Sequence, residues 1–128
     1  MNYLGLDWGK AKIGLAIGSD EVKIASPILI LRSTGGQDLI FKLREIIEQE
    51  NIEAIVVGKP VSLSGQMGES AEFDNFVAGL ESLGVRVEVE DERLSTKMAQ
   101  KLQRGAEKKG DDDALAAAII LQSYFDRL

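Results

Sequence analysis

A mixed α/β domain built on a five-stranded sheet is predicted, and three observations predict it. Strand-like apolar runs occupy the first third of the chain. Helical i, i+3, i+4 spacing then appears and alternates with further strand-like runs. No repeat, low-complexity segment or linker divides the 128 residues, so one domain over residues 1–128 is expected.

Tyr3 to Trp8 reads as the first strand and Lys12 to Gly18 as the second, joined by a short turn centred on Gly9. Ile24 to Leu31 is a third apolar run, and Pro27 inside it marks an edge strand. Short connections make these three an antiparallel meander. Gln37 to Glu50 places Leu39, Ile40, Leu43, Ile46 and Ile47 on one helical face. Ile52 to Val57 is a buried strand closed by Gly58-Lys59-Pro60. A second helix, Glu69 to Leu83, turns Phe73, Phe76, Val77, Leu80 and Leu83 inward and stops at Gly84. Val85, Val87 and Val89 alternate with Arg86, Glu88 and Glu90, a strand with one wet face. Ser95 or Thr96 caps a third helix reaching about Arg104, and a last helix runs from about Asp112 to Phe125. Strands alternating with helices in the second half should be parallel, through right-handed crossovers, with helices on both faces of the sheet.

Composition removes much chemistry. With no Cys and no His there is no thiolate nucleophile, no disulfide, no Cys/His zinc site and no imidazole base. Acid–base work falls to carboxylates, lysines or water, and any metal to oxygen ligands. The chain enters its first strand without a signal-like segment, and no apolar run approaches a membrane span, so a cytoplasmic protein with no membrane partner is expected. A net charge of −6 argues at face value against nucleic acid.

The acids are not scattered. In open α/β sheets ligands sit beyond the carboxyl ends of parallel strands. Asp7 ends the first strand there, Asp91-Glu92 follow the Val85–Val89 strand, and Asp111-Asp112-Asp113 open the last helix. Each has a structural reading. Asp7 can hydrogen-bond the Gly9 turn, Glu92 can pair with Arg93, and one of the three aspartates is expected to cap the helix. Together they suggest more, because converging carboxylates repel one another unless a divalent cation offsets them. Mg²⁺ or Mn²⁺ suits such ligands, and phosphodiester hydrolysis of this type needs neither His nor Cys.

The run from Leu6 to Ala16 (LDWGKAKIGLA) resembles the opening D-x-G-x-x-R/K-I-G-x-A of the YqgF/RuvX family. Asp91 to Thr96 (DERLST) is similar to its D-E-R-[LF]-[ST]-T segment, and Asp113 to Tyr124 to its final D-x-x-A-A-x-x-I-L-x-x-Y helix. The three motifs stand in family order from one end of the chain to the other. The resemblance implies an RNase H-like fold and a nuclease acting on Holliday junctions or on pre-16S ribosomal RNA. It implies Asp7, Glu92 and Asp113 as a catalytic acidic triad holding divalent metal, with Asp111 and Asp112 capping or auxiliary. The chain departs from the pattern at Lys12, where Arg is commoner and bidentate phosphate geometry is lost, and at Lys97. Its segment between Arg104 and Asp111 is shorter than in many members, which leaves a substrate role for that loop in doubt.

Nucleic acid has a place to sit despite the acidity. Arg93, Lys97, Lys101, Arg104, Lys108 and Lys109 face a single acid, Glu107, and Lys97, Lys101, Arg104 and Lys108 recur at helical spacing. Alone this is as well read as a solvated helix face. Chain connectivity nevertheless ties both ends to the proposed metal site, and with the family resemblance phosphate contact is favoured. Lys10, Lys12 and Lys59 are lesser candidates, Lys59 alternatively offsetting local carboxylates. Aromatic residues are only 5% of the chain, so recognition of structured RNA or branched DNA should rest on shape and backbone rather than stacking. Trp8 is expected to pack. Two alternatives stand beside the nuclease: an ATP-binding module of actin-like fold, suggested by Gly5-Leu6-Asp7-Trp8-Gly9, and a non-catalytic accessory of ribosomal RNA processing. A monomer or a homodimer is compatible with the sequence.

Overall fold

In the computed structural model the described residues are 1–9, 12–32, 36–59, 67–91 and 112–128, with side chains described for all of these except 36–37, 67–70, 91 and 112–113. Strands β1 (Asn2–Asp7), β2 (Lys12–Ser19) and β3 (Ile24–Arg32) lead to helix α1 (Gly36–Gln49). Then follow β4 (Ile52–Lys59), α2 (Met67–Glu81), β5 (Arg86–Asp91) and α3 (Asp112–Asp126). The helix predicted from Ser95 or Thr96 to Arg104 lies outside the described residues.

The five strands form one sheet in the order β3-β2-β1-β4-β5. β1 pairs antiparallel with β2, and β2 with β3; β1 pairs parallel with β4, and β4 with β5. The meander, the parallel pairing of β1, β4 and β5, and the edge position of the Pro27 strand are as the sequence predicts. Element ends move by no more than two residues. α2 stops at Glu81 rather than Leu83, because Leu83 and Gly84 close onto Leu80 and Glu81 in a tighter turn, with Gly84 at φ +82°.

Alternation sorts the sheet's side chains into two cores. Leu4, Leu6, Ile13, Leu15, Ile55 and Val57 meet Leu39, Leu43, Ile47, Phe73 and Leu80 of α1 and α2 on one face. Tyr3, Ala16, Ala54 and Val56 meet Ala117, Ala118, Ile120, Leu121, Tyr124 and Phe125 of α3 on the other. Helices therefore cover both faces. Trp8 packs with the first core, its ring edge-on to Phe73 at 5.6 Å, as its parity with Leu6 requires.

The wet face expected of the Val85–Val89 segment is only partly wet. Arg86, Glu88 and Glu90 share the α3 face of β5, and their exposure falls along the strand until Glu90 is buried. The cause is α3. Arg86 donates to the Tyr124 hydroxyl at 2.9 Å, and Arg127 donates to the Glu90 carboxylate. A buried carboxylate is tolerable because it is paired.

Candidate active site

Asp7 is the last residue of β1 and half-buried. Pleat parity puts it on the α3 face with Tyr3 and Gly5. The following turn is tight: a Cβ on Gly9 would stand 2.7 Å from the Lys12 carbonyl oxygen, so only glycine fits.

α3 lies directly on β1 and runs opposite to it. Tyr3 packs against Tyr124, tilted, and edge-on to Phe125, at 5.5 and 5.4 Å between ring centroids. Two residues on, a Cβ at Gly5 would come within 2.8 Å of the Leu121 Cβ and 2.9 Å of the Ala117 carbonyl oxygen. A side chain here would hold the helix off the strand. Two more residues along β1 advance ~6.6 Å to Asp7. One turn back along α3 from Ala117 moves ~6 Å the same way, to the backbone of Asp113. The backbones of Asp7 and Asp113, 106 positions apart in the first and last motifs, thus come level at the carboxyl end of the central strand.

The row of the sheet that holds Asp7 reads Ile30, Gly14, Asp7, Gly58, Glu90 from β3 to β5. Both strand neighbours of Asp7 are buried glycines, so no side chain crowds its carboxylate from either flank. Glu90 stands two strands away on the same face, ~9.6 Å between Cα atoms. Glu92 is the next residue of that parity in sequence and lies outside the described residues.

Of the cationic candidates, Lys12 opens β2 on the Asp7 face and is exposed, its Cα paired with Arg32. Lys59 ends β4 with the opposite parity, shares the face of Val57, and pairs through its Cα with Asp91. Lys10, Arg93, Lys97, Lys101, Arg104 and Lys108 lie outside the described residues. Sequence reasoning passed over Gly14, Gly58 and Arg32, because only strand register shows that they flank Asp7 and Lys12.

The donor set suits a hard divalent cation. Asp7 is a carboxylate, the backbone of a second acid, Asp113, lies level with it, and the flanking glycines leave room beside Asp7. Among the described residues no group of three or more acidic side chains gathers into a metal cage.

A family model described as "RuvX: Holliday junction resolvase" matches residues 1–127. The chain belongs to the RuvX family. A relative from Anaeromyxobacter sp. (strain Fw109-5), named "Putative pre-16S rRNA nuclease", is 36% identical over 133 residues, covering 98% of this chain and 97% of the relative. Among solved structures, T. thermophilus RuvC in complex with a Holliday junction substrate superposes with a TM-score of 0.64 at 18% identity, over 99% of this chain and 95% of that one. Fowlpox virus resolvase with Holliday junction DNA gives 0.59 at 16% identity, over 99% and 98%. At such identities the structures establish the shared RNase H-like fold of this RuvX family member. No described helix is long and apolar enough to cross a membrane.

Proposed function

We propose that this chain is a divalent-metal-dependent endonuclease hydrolysing phosphodiester bonds in structured nucleic acid, in pre-16S rRNA 5′-end processing, in Holliday junction resolution, or in both. One observation carries the reading: strand β1 and helix α3 bring the backbones of Asp7 and Asp113 level at the carboxyl end of β1, in a chain that matches the RuvX family along its length. The protein is read as one cytoplasmic domain over residues 1–128, active as a monomer or homodimer. Cutting the two symmetric strands of a four-way junction would require two sites and hence the dimer.

Asp7 and Asp113 would hold Mg²⁺ or Mn²⁺, and Glu92 would hold it too or orient the attacking water. When bound, the ion supplies Lewis acidity toward the scissile phosphate and makes water a better nucleophile. With no His or Cys in the chain, the carboxylates are also the natural acceptors of the water's proton. Gly14 and Gly58 keep the flanks of Asp7 open to a phosphate. Lys12, with Lys10, Lys59, Arg93, Lys97, Lys101, Arg104 and Lys108, would neutralise backbone charge along the bound strand. Lys59, on the opposite face, would do so only at the sheet's edge.

The test assays pure protein side by side on a four-way DNA junction and on precursor ribosomal RNA, with Mg²⁺ or Mn²⁺. Cleavage that disappears in Asp7→Asn and in Asp113→Asn is expected. Cleavage of neither substrate favours the accessory reading, and micromolar ATP binding without cleavage favours the actin-like one.

A further inference from the structure

The geometry points to a two-cation clamp, Lys12 with Arg32, that grips the phosphodiester backbone of the substrate a short distance from the bond to be cut. The inference rests on the nuclease reading and adds to it a residue, Arg32, which belongs to none of the three family-like motifs. Lys12 is the first residue of β2 and Arg32 the last of β3, and their Cα atoms are partners across the antiparallel ladder. Both side chains are exposed. No carboxylate among the described residues forms an ion pair with Arg32.

Position identifies the anion. Lys12 follows Gly14 by parity on the α3 face of β2, and Arg32 follows Ile30 on the same face of β3. The row of Gly14 and Ile30 is the row of Asp7. Arg32 therefore stands two strands across and two residues beyond Asp7, roughly 12 Å between Cα atoms. That is too far to touch a phosphate held at Asp7 and near enough for a neighbouring one on the same strand. The α3 side of β3 is also open, with a cavity of about 330 Å³ between Pro27–Ile30 and Ala114, the residue after Asp113. A backbone leaving the acidic site over β2 and β3 runs toward this cationic pair. Arg32 offers the planar two-pronged donor that Lys12 lacks. The chemistry recognised is a phosphodiester backbone, common to DNA and RNA.

The test measures binding of the full chain to a fluorescent four-way DNA junction and to an RNA hairpin over a KCl titration. Each phosphate contact contributes a slope of about −0.9 in log K against log salt on B-DNA. Arg32→Gln is expected to flatten the slope by about one contact, Arg32→Lys to retain it, and Arg44→Gln, an exposed substitution on α1 across the sheet, to leave it unchanged. In cleavage assays Arg32→Gln should raise KM with kcat preserved. Flattening on one nucleic acid alone supports the clamp and identifies the backbone it serves. An unchanged slope in Arg32→Gln while the unsubstituted protein binds overturns the clamp and leaves the nuclease reading standing, as does equal flattening in Arg44→Gln. Binding of neither nucleic acid by the unsubstituted protein overturns both.

Discussion

The two faces of the sheet are built from different residues for different ends. Toward α1 and α2 the strands present Leu4, Leu6, Ile13, Leu15, Ile55 and Val57, large aliphatic groups that fill the space below two amphipathic helices. Toward α3 the three central strands present mostly small residues, Gly5, Gly14, Ala16, Gly18, Ala54 and Gly58, with Val56 and, at the far end, Tyr3. The first face keeps its helices at side-chain distance and holds the largest single apolar cluster among the described residues. The second brings a helix backbone against a strand backbone, so that groups on the two can meet at one edge. The larger apolar cluster lies on one face, and the proposed site on the other.

The sharpest break between the faces is Asp7→Asn. Cleavage should fall to background while the thermal transition persists, since the change removes a charge at the sheet's edge and no packing. A substitution that abolished both would mean that Asp7 is a structural residue of the Gly9 turn.

Phe73→Ala works in reverse. It should cost about 3–5 kcal/mol of stability in urea unfolding, as a fully buried ring leaves a cavity on the α1 and α2 face. Cleavage per folded molecule should be retained. Trp8, the single tryptophan, touches this ring, so its emission should shift as well.

Gly5→Ala should affect both properties. The added methyl meets the Leu121 Cβ at 2.8 Å and the Ala117 carbonyl at 2.9 Å, so the helix must lift. A loss of about 1–3 kcal/mol is expected from overpacking. Cleavage should weaken beyond what the unfolded fraction explains, because α3 carries Asp113. Unchanged activity per folded molecule would show that the close approach does not position the site.

The smallest effect concerns Tyr3. Burial, and then its hydroxyl hydrogen bond with Tyr124, raise its pKa above the ordinary tyrosine value. The folded state therefore holds the phenol proton more tightly than the unfolded chain does. The stability this contributes is complete below pH ~10 and is lost as pH rises from there through the folded pKa. Thermal midpoints between pH 8 and 11 should fall more steeply for the unsubstituted protein than for Tyr3→Phe, and parallel curves would remove the argument.

Local periodicity was enough for much of the fold. Each strand announces itself by alternation or an apolar run, α1 and α2 by their stripes, and the edge position of β3 by Pro27, because these preferences act over neighbouring residues. The acids could be singled out because a carboxylate ending an apolar strand is costly without a partner. The single wet face assigned to the Val85–Val89 segment failed because alternation reports which side chains share a face, not what covers it. Glu90 is buried and pairs with Arg127, 37 positions away, which no local pattern encodes.

By itself, then, the sequence determined the order and type of the described elements, the absence of sulfur and imidazole chemistry, and the candidate acids. Only the tertiary structure decided which residues surround them. That Gly14 and Gly58 flank Asp7, that Gly5 lets α3 descend to it, and that Arg32 stands beside Lys12 follow from strand register and helix placement. Those are set by packing between segments far apart in the chain, where a shift of one residue would move every side chain to the opposite face.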